Sequence, residues 1–75
     1  MANLSDLTPR ELEILQLVLA ANTNKEIANQ LYITERTVEF HLDHIYTKIG
    51  ARSRIMAAIW AIQHGMEGKT VEIPS

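Results

Sequence analysis

Apolar residues recur along this chain at intervals of three and four, the spacing that aligns side chains on one face of an α-helix. The clearest run is Val38, Leu42, Ile45 and Ile49, separated by four, three and four positions. An earlier cluster of Leu12, Ile14, Leu15, Leu17, Val18 and Leu19 contains an inward stripe of Leu15, Val18 and Leu19, which Leu12 extends by one turn. Ile27, Ala28 and Leu31 form a shorter stripe, and nearly every residue from Ile55 to Ile62 is apolar. The pattern predicts an all-α, tetrahelical chain with helices near residues 9–20, 24–31, 35–49 and 54–64.

Polar residues between the stripes supply the boundaries. Thr8-Pro9-Arg10-Glu11 places an N-cap threonine three residues before a glutamate, with proline at the first helical position and Leu7 ahead of the cap. Reciprocal bonds at that spacing satisfy amides that a helix start otherwise leaves unpaired. Asn22 can take a left-handed conformation and close the first helix. Thr23-Asn24-Lys25-Glu26 repeats the capping spacing and opens a second helix reaching Gln30 or Leu31. Two turns are not stable alone, so this helix exists by packing. Thr34 caps the third helix and Gly50 stops it, while Ser53 opens the fourth and Gly65 ends it. A short helix, a tight connection and a capped second start thus fall between Asn24 and Val38. This is how a helix-turn-helix reads in sequence, and its second helix is the one that enters a DNA major groove.

Seventy-five residues make one small domain. Such a domain buries only about 60–65% of its unfolded surface, which leaves a partner subunit room to add to the core. The expected domain spans 1–75, with a flexible N-terminus and a tail from about 67. Thr70-Val71-Glu72-Ile73 alternates like a strand, but a lone strand has no partner and is expected to fray. The apolar fraction of 47% is that of a soluble domain. Zero cysteines rule out a disulfide framework or thiolate metal site. The polar, acidic start and the lack of a long apolar run argue against a signal peptide or membrane span, so a cytoplasmic location is expected. The net charge of −2 points to a weak or dimer-dependent DNA binder, because non-specific affinity comes mostly from cations displacing phosphate counterions.

From Leu7 to about Met66 the chain resembles the LuxR/FixJ-type (GerE-like) helix-turn-helix domain of bacterial transcription regulators. Leu7-Thr8-Pro9-Arg10-Glu11, Asn24-Lys25-Glu26-Ile27-Ala28, Ile33-Thr34, Thr37-Val38, His41, Lys48, Arg54 and Gly65 stand at the family's signature spacings. The resemblance implies a four-helix domain that binds DNA as a dimer, often as the output half of a response regulator. It also implies that the third helix reads the major groove and the fourth joins the subunits. Three positions depart from the family pattern: Ala21 stands where glycine is usual, Glu39 where lysine is usual and Asp43 where a basic residue is frequent. The last two belong to the groove-facing surface in the family.

On the third helix Arg36, Glu39, Phe40, Asp43 and Thr47 share the face opposite Val38, Leu42, Ile45 and Ile49. Phe40 is then a large aromatic on the solvent side, either incidental, since single exposed apolar residues are common, or placed for thymine methyls, sugars or a protein partner. Glu39 and Asp43 can accept from cytosine N4 but repel nearby phosphates, and a solvated acidic face beside Arg36 is the other reading. Thr23, Lys25, Thr34, Arg36, Thr37, Lys48, Arg52 and Arg54 are candidates for holding phosphates. Thr23 and Thr34 are also fully explained as caps. The resemblance favours Lys25, Thr37 and Lys48 most, whereas Arg54 could instead form an intramolecular ion pair that fixes the fourth helix.

His44 joins the candidate DNA-facing set beside Asp43 and Thr47, while His41 lies toward the buried edge and is expected to pack. The two histidines permit a metal pair in spacing, yet the surrounding donors converge only partly, and no metal or cofactor is expected. Neither a nucleophile-base-orienter pattern nor a glycine-rich phosphate cradle is present, which argues against an enzyme. On the fourth helix Ala57, Ala58 and Ala61 allow close approach to the core. Ile55, Met56, Ile59, Trp60 and Ile62 wrap the remainder and are the candidate dimer surface. The reading is therefore sequence-specific binding of double-stranded DNA by a homodimer on an inverted-repeat site, with an upstream receiver or sensor domain possible in a longer protein. The alternative is a helical dimer that has lost DNA binding and engages another protein.

Overall fold

The computed structural model describes residues 2–68, so the alternating stretch from Thr70 to Ile73 lies outside them. Four helices follow in order: α1 (Pro9–Leu19), α2 (Asn24–Leu31), α3 (Glu35–Ile49) and α4 (Arg54–Gln63). A single 3-10 turn at Leu4–Asp6, capped by the Asn3 side chain, precedes them. The expected caps are all in place, since Thr8, Thr23, Thr34 and Ser53 each accept from the backbone amide three residues on. Reciprocal boxes form at Thr8 with Glu11 and at Thr23 with Glu26. Each such cap contributes about 1 kcal/mol.

The helix ends share one closure, in which a left-handed residue turns the chain and the following amide reaches back five residues. Asn22 N–H donates to the Leu17 carbonyl at 3.1 Å, Ile33 to Ala28 at 3.0 Å, Ala51 to Tyr46 at 3.0 Å and Met66 to Ala61 at 3.0 Å. The left-handed residues are Ala21, Tyr32, Gly50 and Gly65. This 6→1 bond is that of the Schellman motif, which satisfies carbonyls left over at a helix end. Glycine fills the position after α3 and α4, as expected. After α1 the left-handed residue is Ala21, at φ 65°, and not Asn22. Asn22 sits one place later, where both its backbone amide and its Nδ2 donate to the Leu17 carbonyl.

The core brings together Leu7, Ile14, Leu15 and Val18 with Ile27 of α2, Val38, Leu42 and Ile45 of α3, and Ala57 and Ala61 of α4. The α3 stripe is as expected, with Ile49 at its edge. On α1 the stripe differs: Ile14 is fully buried with Leu15, while Leu19 is only partly covered. The reason is that α1 is packed by α2, α3 and α4 together, so its covered arc runs from Ile14 through Val18 to Leu15, about 100°. Full burial of each aliphatic side chain contributes about 1.5–3 kcal/mol. No helix among the described residues is long and apolar enough to cross a membrane.

Candidate nucleic-acid interface

α2 and α3 form the helix-turn-helix. Three residues separate them: Tyr32, left-handed at φ 57°, then Ile33, partly buried against the core, then the cap Thr34. The Thr34 hydroxyl accepts from Thr37 N–H at 3.1 Å and shares a 2.9 Å hydroxyl contact with Thr37. That pins the first turn of α3. Because Val38, Leu42 and Ile45 face the core, Arg36, Glu39, Phe40, Asp43, His44 and Thr47 face outward, and all six are exposed. Thr37 is half-buried.

Phe40 is 58% exposed, and its ring lies 4.3 Å from that of His44, tilted 50°. The His41 ring approaches Phe40 edge-on at 6.2 Å, so the outer face of α3 carries an aromatic cluster. Thr47 is turned inward chemically, its hydroxyl donating to the Asp43 carbonyl at 2.9 Å. A cleft of about 480 Å³ opens between α3 and the starts of α2 and α4, lined by Asn24, Arg36, Glu39, Phe40, Leu42, Asp43, Tyr46 and Arg54. Thr23 and Lys25 are exposed in the first turn of α2.

The structure separates the cations into two groups. Lys48 Nζ donates to Glu11 Oε1 at 2.7 Å, and the same oxygen accepts from Thr8 N–H at 2.8 Å. Burial of Glu11 pushes its carboxyl up. The Lys48 ammonium and the Thr8 hydrogen bonds outweigh that and hold it below the ordinary value. Exposed Glu26 is also lowered, by the Thr23 backbone amide and hydroxyl. Arg54 makes no ion pair among the described residues. Its guanidinium donates instead to Asn24 Oδ1 at 2.6 Å and to the Asn22 carbonyl at 2.6 Å. By contrast, Lys25, Arg36 and Arg52 are exposed and have no ion-pair partner among the described residues. Sequence reading missed the Lys48–Glu11 pair because its members are 37 positions apart and Glu11 already had a local role.

On α4, Ile55, Met56, Ile59 and Ile62 are 72%, 47%, 50% and 62% exposed. Trp60 is half-buried against the core and stacks on His64 at 4.1 Å; His64 Nδ1 donates to the Trp60 carbonyl at 2.8 Å. A hollow of about 260 Å³ beside this face is lined by Ile49, Gly50, Ala51, Met56, Ile59, Trp60 and Gln63. Among the described residues no group of three or more His, Asp or Glu could hold a metal ion.

The family profile described as bacterial regulatory proteins, luxR family, matches residues 5–61. The transcriptional regulatory protein LnrK of Bacillus subtilis is 46% identical over 63 residues, which is 84% of this chain and 29% of LnrK. The nitrate/nitrite response regulator protein NarL of Escherichia coli K12 is 44% identical over 61 residues, covering 81% of this chain and 28% of NarL. The transcriptional regulatory protein LiaR of Bacillus subtilis is 47% identical over 55 residues, 73% of this chain and 26% of LiaR. The chain thus spans less than a third of the length of these curated relatives. With its four helices and helix-turn-helix, it belongs to the luxR family of bacterial regulatory proteins, as a non-catalytic DNA-binding domain homologous to response-regulator output domains.

Proposed function

We propose that the domain binds specific double-stranded DNA as a two-fold homodimer in transcription control, within the cytoplasm. The observation that carries this is the outer face of α3, where Glu39, Phe40, Asp43 and His44 stand exposed beyond a capped first turn. In this reading α3 lies in the major groove, with Thr47 at the far end of the reading face. Thr23, Lys25, Thr34, Arg36 and Thr37 hold the backbone on either side. Lys48 shares its ammonium with Glu11 and so also holds α3 to the cap of α1.

Two α4 helices pack against each other through Ile55, Met56, Ile59 and Ile62, with Trp60 beneath. Two-fold symmetry suits a self-complementary apolar stripe. In a longer protein an upstream receiver or sensor domain would gate that pairing, in keeping with the fraction of NarL and LnrK that this chain matches.

Selection from randomised duplexes at low salt tests the DNA reading, and enrichment of an inverted repeat is expected. Sedimentation equilibrium across a wide concentration range, with and without DNA, should show mass-action dimerisation that Ile59→Glu weakens; a monomer under both conditions refutes the dimer. The acidic Glu39 and Asp43 favour one other reading, a helical dimer that engages a protein partner through α3. No enriched sequence, together with partner binding unaffected by Lys25→Ala and Lys48→Ala, would favour it.

A further inference from the structure

We propose that Glu39 and Asp43 set the base preference of this domain, each accepting a hydrogen bond from a cytosine amino group in every half-site. The inference rests on the DNA reading above and adds what the groove-facing helix selects. Both carboxylates are exposed on α3, and neither has an ion-pair partner among the described residues, although Arg36 lines the same cleft. The Thr47 hydroxyl bonds the Asp43 carbonyl and leaves the carboxylate unmet.

An unpaired carboxylate brought into a groove walled by phosphates is repelled unless the base edge gives it a donor. Only cytosine N4 and adenine N6 offer donors in the major groove, and adenine sets its N7 lone pair beside that donor. A carboxylate therefore discriminates for cytosine. Glu39 and Asp43 are four residues apart, about 6 Å along the helix, which matches roughly two base steps. Along the helix between them Phe40, its ring tilted against that of His44 at 4.3 Å, presents an apolar ring that suits a thymine methyl but supplies no competing donor.

Duplex selection with the wild-type domain, Glu39→Gln and Asp43→Asn tests this. Both positions are exposed, so the folded state is kept, and circular dichroism checks it. The wild type is expected to enrich cytosines about two base pairs apart in each half-site. Each amide variant should convert one of them to adenine, which an amide reads through N6 and N7 together. Titration of matched and converted duplexes should then show preference reversed by roughly ten-fold. A two-fold motif without those cytosines, or one unchanged in both variants, overturns the inference while leaving the DNA reading in place. No binding of wild-type protein to any duplex at low salt overturns both.

Discussion

Replacing Ala21 with glycine should stabilise the domain. Ala21 is exposed and held at φ 65°, where its Cβ crowds the following carbonyl oxygen at a cost of about 1–2 kcal/mol. Glycine removes that cost, but the freer unfolded chain gives back about 0.4–1 kcal/mol. The net expected gain is about 0.5–1 kcal/mol, because the methyl is not part of the core and its loss opens no cavity. For a domain of this size that raises Tm by roughly 2–8 °C. The assay is thermal unfolding followed by circular dichroism at one fixed protein concentration, since subunit association raises apparent stability. Ala21→Val supplies the opposite sign, as a branched side chain is still less suited to the left-handed region. An unchanged or lower Tm for Ala21→Gly, or no loss for Ala21→Val, would refute the argument that this closure is strained.

Three further outcomes follow from the charges. Lys48→Met should cost about 1–3 kcal/mol in urea unfolding, because it leaves the buried Glu11 carboxylate with only its Thr8 bonds; unchanged stability would mean that Lys48 serves the ligand alone. Glu11 titrates below its ordinary 4.5 in the folded state, so its contribution is complete above about pH 4.5 and is lost as the pH falls through the lower folded value. Unfolding midpoints between pH 6 and 3 should therefore fall less steeply in Glu11→Gln, and parallel curves would sink that assignment. Glu39→Lys should raise general duplex affinity and steepen its salt dependence, since a repelled carboxylate becomes a counterion-displacing ammonium; an unchanged salt slope in titrations would remove α3 from the phosphates' reach.

Helix starts were legible because a cap and its partner lie three residues apart, within one turn. The α3 stripe was legible for the same reason, and with it the outward placement of Arg36, Glu39, Phe40 and Asp43. What escaped depends on packing between helices or on the closure of a helix end. Ile14 is buried because three helices cover α1, which no single-helix period reveals. Tyr32 takes a left-handed conformation and stands 95% exposed, since the Ile33 amide must reach the Ala28 carbonyl to turn the chain into α3. Nothing in the local residues announces a tyrosine there. The departure at Ala21 was visible as a missing glycine, but its meaning needed the bond from Asn22 to Leu17.

Arg54 occupies the first position of α4 and grips both the Asn22 carbonyl and the Asn24 side chain at the entrance to α2. One planar group therefore clamps α4 to the entrance of α2, the helix that sets α3, and the flat fork fixes direction as well as distance in a way an ammonium does not. In the proposed dimer this makes Arg54 a ruler. Half-sites on a duplex lie about 34 Å apart, so each α3 stands on an arm of roughly 17 Å from the two-fold axis. A tilt of roughly 10° at the root of that arm moves its tip by about one base-pair step. In that proposed dimer the half-site spacing is held, at its origin, by two hydrogen bonds within each subunit.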